Sequence, residues 1–340
     1  MKGNLLVNWI HRKYFFIKNI NSGKLLENFL ISAVVSIFCI RSFLKITGFP
    51  QLGNGSFHIA HMLWGGILMV VSIILLLSFL SNQVKILASV IGGIGFGTFI
   101  DELGKFITSD NDYFFQPTIA LLYLIFIGLY FLFTIIDKKI RLSKREYLIN
   151  ALEITKEAVI EDLDEVEKNT ALELLKKANQ EDVIVTSLKK LLEKAETIEP
   201  PEPNLYSRLK KNLKKIYHFL IQKKWFRNAV FIFFIIYSFI SLFQSAEIIP
   251  GLIINFPELN FWETSNLISS IIPSVLILLS LRHIKESFMK FLARMKFAVL
   301  FQIFVTQFFL FYFNQFFAII HLSINVFVLV SLNYMIENNN

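Results

Sequence analysis

Residues 61–80, HMLWGGILMVVSIILLLSFL, open on a histidine and then run on without a charged side chain. A helix of that length reaches across the roughly 30 Å hydrocarbon core of a bilayer. Runs of similar character recur at 29–47, 86–107, 117–136, 226–247, 265–281, 297–314 and 316–335, with a tight turn near Asn314 between the last two. In lipid every backbone N–H and C=O must be satisfied within its own segment, so apolar runs of this length form helices. These runs restrict the chain to an all-α fold, a polytopic membrane helix bundle of about eight transmembrane helices. With 54% hydrophobic residues and 37 Phe in 340 positions, an ordinary soluble domain is excluded.

Lysine and arginine are distributed unevenly. With a cytoplasmic N-terminus, 31 of the 34 fall on one side of the membrane, and only Arg41, Lys45 and Lys105 lie toward the other. Seven acids accompany those three: Asp101, Glu102, Asp110, Asp112, Glu247, Glu258 and Glu263. Basic loops are retained in the cytoplasm, so both termini are expected there. The net charge of +8 then belongs to loops that face anionic headgroups, and no nucleic-acid partner is expected. Trp64, Trp225 and Trp262 stand at span ends, as interfacial anchors do. The single cysteine, Cys39, excludes an intrachain disulfide.

Segment 1–28 lacks an apolar core followed by a small-residue cleavage site and reads as a cytoplasmic lead-in. Two membrane halves follow, 29–136 and 226–340, separated by a charged stretch at 137–225. FHIAHMLWGGILMVVSIILLLSFL (57–80) aligns with FWETSNLISSIIPSVLILLSLRHI (261–284), and GTFIDELGKF (97–106) with QIFVTQFFLF (302–311), which sets Asp101 against Thr306. This pattern implies a degenerate 4+4 parallel repeat about an axis along the membrane normal. The halves differ in chemistry, because thirteen of fourteen glycines lie at or before Gly128. Within 137–225, TALELLKKANQ and SLKKLLEKAE place apolar residues at i, i+3 and i+4, which predicts a small helical cytoplasmic insertion. Its apolar face calls for a partner, either another protein or a second copy. TIEPPEPN (197–204) then acts as a stiff linker, and the basic amphipathic segment after it is expected along the inner leaflet.

The segment IGFGTFIDELGKFITSDNDYFF (94–115) breaks the apolar rule. If the third span runs outward from Ile86, Asp101 lies about 22 Å along it, in the outer third of the bilayer. Gly93, Gly97, Asp101 and Lys105 recur every four residues and form one stripe, with Glu102 about 100° around the helix. Arg41 and Lys45 reach the same depth on the first span, His58 and His61 open the second, and His321 lies near the outer end of the last. Charges in membrane helices cost roughly 2.5–3.5 kcal/mol each on insertion scales, so several at one depth point to function. His-x-x-His at a helix start, joined by Asp101 and His321, is a candidate site for a divalent cation, zinc or manganese. Glu102 and Asp101 are the candidate catalytic carboxylates, and Arg41, Lys45 and Lys105 are candidate binders of a phosphate or lipid headgroup. The clustered glycines sit mid-helix with no strand before them, which excludes a nucleotide-binding loop.

HIAHMLWGG, GFGTFIDELGKF and DNDYFFQP resemble a group of bacterial integral membrane proteins marked by G-F-G-x-F-I-D-E-x-G-K-F, over roughly residues 57–136. The resemblance implies a bacterial inner-membrane protein and assigns no residue roles. Three functions fit the pattern. A cation-dependent hydrolase or transferase acting on a lipid or lipid-linked substrate at the outer leaflet suits the depth of the charges. A proton- or cation-coupled transporter or channel suits the repeat, and a non-catalytic sensor or scaffold suits the helical insertion.

Overall fold

The computed structural model describes residues 16–48, 60–113, 115–137, 142–199, 261–283, 287–313 and 315–337, together with part of 208–239. The described residues are mainly helical and form no strand. Seven helices among them are long and apolar enough to cross a membrane. Of the eighth expected span, 226–247, residues 228–237 are helical and those beyond 239 lie outside the described residues, as does Asn314. The chain divides into two compact units, Met1–Asp101 with Leu129–Glu202, and Glu102–Gly128 with Pro203–Asn340.

In the first unit, α1 (Ser22–Thr47), α2 (His61–Ser78) and α3 (Asn82–Ile100) pack closely, with α3 against both of the others. Glycine makes that possible on both faces of α3. A Cβ at Gly93 or Gly97 would collide with backbone carbonyls of α1, those of Phe29 and Ala33. On the other face, Gly65 of α2 lies against the backbone of Gly95 and Phe99. Small residues let helix backbones approach where lipid offers no hydrophobic driving force between helices. Ser72 donates to the Ala88 carbonyl at 2.7 Å, and the Phe29 ring packs at a tilt on Phe96 and edge-on to Phe133.

The insertion folds as expected into three short helices, α6 (Lys144–Val159), α7 (Glu165–Lys177) and α8 (Val183–Lys194). They follow the short α4 (Leu103–Ile107) and the membrane-length α5 (Thr118–Asp137). Ser143 with Glu146 and Asp164 with Glu167 form capping boxes at α6 and α7, each satisfying two otherwise bare helix-end donors. The Ser143 backbone and hydroxyl bonds hold the Glu146 carboxyl below its usual range. Burial raises Glu167, which the acids around it reinforce. Leu148, Ala151, Leu163, Leu175, Val185 and Leu192 form the core.

The helical insertion docks on the same ends of α1 to α3 and α5. Asn150 accepts from Ile20 N at 3.0 Å and donates to Lys18 O at 2.8 Å, and Lys18 Nζ reaches Asp137 O at 2.9 Å. Lys156 caps the Leu80 carbonyl at the end of α2. Glu153 bridges Lys85 and Lys156; although partial burial pushes its carboxyl up, the two ammonium groups bring it below its ordinary value. Arg41, His61 and Asp101 therefore lie at the opposite ends of these helices, α1 being about 39 Å long.

The second unit is built from α9 (Phe261–Ser280), a long helix over Phe288–Phe313 and α12 (Gln315–Glu337), around a core of Phe234, Ile277, Phe291, Leu292, Met295 and Leu332. The long helix comprises α10 (Phe288–Phe301), a π segment (Gln302–Thr306) and α11 (Gln307–Phe313). It begins nine residues before the expected span at 297. Lys290 and Arg294 face out while Phe291, Leu292, Met295, Ala298 and Val299 are buried, so an amphipathic lead-in carries the helix past its apolar run. The α1 helix also starts early, at Ser22, seven residues before 29.

Pro273 lies inside α9, and it has no N–H to give the carbonyl four residues earlier, that of Ser269. Thr306 Oγ1 donates to that carbonyl at 2.6 Å. Thr306→Val should therefore cost about 1–2 kcal/mol, because it leaves a buried acceptor bare. The double variant with Pro273→Ala should lose less than the single, since a backbone N–H is restored at position 273. Thermal unfolding of the three variants in detergent measures both effects, and equal losses in the single and double variants would refute the compensation.

Candidate functional site

The third span does not run unbroken to residue 107. The α3 helix ends at Ile100, Asp101 caps it, and α4 restarts at Leu103. Asp101 N still bonds to Gly97 O at 3.1 Å in the α pattern, but Lys105 N bonds to Glu102 O at 3.0 Å, a tighter turn. Two consecutive carboxylates thus stand at a helix break instead of on a continuous helix. The boundary between the two units falls between them.

In the first unit, Asp101 is fully buried. Its Oδ1 accepts from Arg41 Nε at 2.6 Å, and Oδ2 lies 3.2 Å from His61 Nε2. The Arg41 and His61 side chains keep 26% and 24% exposure. The carboxylate is the hidden element, and the two groups it holds reach the surface. Asp101 can accept at Oδ2 only if His61 Nε2 carries a hydrogen, which fixes the neutral ring as the Nε2–H tautomer and leaves Nδ1 as its basic nitrogen. Three different helices supply the cluster: Arg41 lies on α1, His61 is the first residue of α2, and Asp101 ends α3.

In the second unit, Glu102 is 1% exposed and accepts from Lys105 Nζ at 2.7 Å. The ammonium also lies 5.5 Å from the Tyr113 ring centroid, within cation–π range. Gly104 is pressed against Asp112 O and Thr118 Oγ1, which ties the turn at 108–113 to the start of α5. Thr108 supports that turn, accepting from Asp112 N at 2.8 Å.

Of the residues expected at one depth, the fold brings Arg41, His61 and Asp101 together. Lys45, one turn beyond Arg41, is exposed. His58 lies outside the described residues. His321 belongs to the second unit, where it is buried and its Nδ1 lies 2.8 Å from Gln307 Oε1. Among the described residues no three His, Cys, Asp or Glu side chains converge as a metal site. Asp101 brings one histidine and one guanidinium into contact, and a guanidinium repels a cation. The reading of the sequence did not anticipate the polar core of the second unit, in which Gln302, Gln307 and Asn325 are all buried. The signal was available as amide side chains inside apolar runs, in QIFVTQ and HLSIN. Comparison with protein-family models, curated proteins and solved structures finds no match to this chain.

Proposed function

We propose that the chain is a polytopic membrane enzyme, a hydrolase or transferase acting on a lipid or lipid-linked substrate, with Arg41, His61 and Asp101 as its working residues. The observation that carries this reading is the fully buried Asp101 carboxylate, held between a guanidinium and an imidazole that both remain partly exposed. A buried carboxylate behind a histidine fixes its tautomer and the orientation of its ring. His61 is then the general base or acid, Asp101 its positioning residue, and Arg41 the donor that grips a phosphate or other anionic headgroup. Lys45, exposed one turn on, adds to that anion site. Glu102, the other candidate carboxylate, is held by Lys105.

A divalent cation, zinc or manganese, is the less favoured form of this reading: it would need His61 Nδ1 and His58 as ligands, and the Arg41 guanidinium on Asp101 works against it. Asp101 would then stand behind the ligating histidine. We further place the protein in the bacterial inner membrane with both termini cytoplasmic, where the helical insertion meets a protein partner or a second copy. The 4+4 repeat is supported by where the third helices depart from α geometry, at Asp101–Glu102 in one half and at 302–306 in the other. Those are the positions aligned through Asp101 and Thr306.

The test incubates the purified protein with vesicles of mixed phospholipids and follows the lipids by mass spectrometry, with bound metals measured on the same sample. His61→Gln is expected to lower product formation at least 100-fold while leaving the unfolding midpoint within a few degrees. A His58→Ala/His61→Ala variant that loses near-stoichiometric metal would establish the cation-dependent form. A wild-type protein that is folded, metal-free and inert toward every lipid offered overturns the enzyme reading. That outcome would favour the second reading, a sensor or scaffold braced by ion pairs, for which the separate matching of Asp101 with Arg41 and of Glu102 with Lys105 speaks.

A further inference from the structure

The second unit buries a polar group that has no role in the reading at Asp101. Gln302, Gln307, His321 and Asn325 are at most 3% exposed, within helices otherwise lined by Phe, Leu and Ile. Their arrangement depends on the π segment. Gln307 N–H bonds back to Gln302 O, five residues earlier. In an α-helix residues five apart point about 140° away from each other, and the wider π turn brings them nearer one face. The antiparallel pairing that sets Gln307 against Ala318 and His321 sets Gln302, one turn along, at the level of Asn325. Gln307 thus faces His321, and Asn325 lies one turn further along α12.

The hydrogen bonds fix the chemistry. Gln307 Nε2 donates to the Ala318 carbonyl at 2.6 Å, which orients its amide and turns Oε1 toward His321 Nδ1 at 2.8 Å. Nδ1 must therefore carry the proton, and the neutral ring keeps a bare lone pair at Nε2. Asn325 Nδ2, 3.1 Å from the same Nδ1, is not bonded to it while that proton is present. The side-chain oxygens of Gln302 and Asn325 are buried and accept no hydrogen bond among the described residues. Two buried acceptors, Gln302 Oε1 and Asn325 Oδ1, are thus left without donors among the described residues, in a setting where each such group is costly. The rings of Tyr237 and Phe317 lie 5.3 and 6.5 Å from His321. Whatever completes this group has to donate several hydrogen bonds, and acceptor dipoles with aromatic faces favour a positive charge.

We propose that Gln302, His321 and Asn325, with Gln307 orienting the histidine, form a site within the candidate spans for a small monovalent cation that donates hydrogen bonds, of which ammonium is the chemical type. The site lies in a different unit from Arg41, His61 and Asp101 and stands whether or not the enzyme reading does.

The test measures the unfolding midpoint of the full-length protein, purified in ammonium-free buffer, against ammonium, sodium, potassium and choline chlorides at matched ionic strength. Ammonium is expected to raise the midpoint saturably while the other three do not. Gln302→Leu, which removes an acceptor with no donor of its own, should weaken the apparent affinity for ammonium at least tenfold. His61→Gln should leave it unchanged, so failure here and failure at Asp101 are distinguishable. No response to ammonium, equal responses to all four salts, a stronger response to sodium or potassium, or an undiminished response in Gln302→Leu would each overturn the proposal. Should Gln302→Leu not fold, the selectivity of the wild-type protein among the four salts decides alone.

Discussion

Asp101→Ala is expected to lower the stability of the first unit more than any other single truncation. Removing one partner of a buried ion pair typically costs about 3–5 kcal/mol, because the remaining charge is left without compensation. Here two groups lose the carboxylate that they share, the Arg41 guanidinium and the Nε2 hydrogen of His61. The lower end of that range applies, since both retain about a quarter of their exposure and can turn toward solvent or headgroups. For a unit of this size the loss corresponds to a fall of roughly 6–12 °C in the unfolding midpoint. A double-variant cycle identifies the cause. Arg41→Met combined with Asp101→Leu replaces the pair by apolar groups and should recover most of the loss, as buried ion pairs often allow. Asp101→Asn keeps an acceptor for Arg41 but not the charge and should fall between. A midpoint for Asp101→Ala within a degree or two of the wild type would show that the carboxylate does not brace these helices. It would also weaken the view that Asp101 orients His61.

The parts of this fold that could be read in the sequence are those that lipid imposes. Lipid requires about twenty apolar residues per crossing, so the spans at 61–80 and 117–136 were placed to within two residues of α2 and α5. The helical insertion was legible for a similar reason, because its apolar residues recur with the helical period. Helix ends were harder, since an end depends on what lies beside it. At Phe288 the helix continues past its apolar run on the strength of one buried face, and at Ser22 it starts before its apolar run. At Asp101 the four-residue spacing of Gly93, Gly97, Asp101 and Lys105 runs smoothly through a point where the backbone bonds change. Counting depth along each helix did anticipate that Arg41, His61 and Asp101 lie at one level. It could not say that a single carboxylate would serve both of the others, nor that Glu102 and Lys105 would pair with each other. The buried amides of the second unit escaped because neutral side chains carry no cost on a charge count, although in lipid an unpaired amide is costly as well. Pro273 and Thr306 are far apart in the chain, and only the fold reveals that the hydroxyl of one supplies the bond that the other removes.

The second large effect is expected at Gly65, and it has an internal control one residue away. A Cβ built on Gly65 would lie 2.6 Å from Gly95 O and 2.9 Å from Phe99 Cα, closer than real Cβ contacts come. Both neighbours are backbone, so no side chain can swing aside. The helices α2 and α3 must separate, and the same separation would loosen Ser72 from Ala88 O along their shared seam. Overpacking of this kind costs about 1–3 kcal/mol, and rigid backbone on the far side favours the upper figure. At Gly66 nothing lies within 4 Å of the added Cβ. There the only change is helix propensity, which favours alanine by up to about 1 kcal/mol. Gly65→Ala should therefore lower the unfolding midpoint by several degrees, and Gly66→Ala should leave it unchanged or raise it. Because His61 is one turn from Gly65 on α2, a shift of that helix also moves the imidazole relative to Asp101. If the cluster works as a catalytic unit, Gly65→Ala should reduce turnover at temperatures where the protein is still folded, and Gly66→Ala should not. Equal midpoints for the two alanine variants would mean that the close approach of α2 and α3 is not what holds this unit together, and the contacts of α3 with α1 at Gly93 and Gly97 would then be the ones to test.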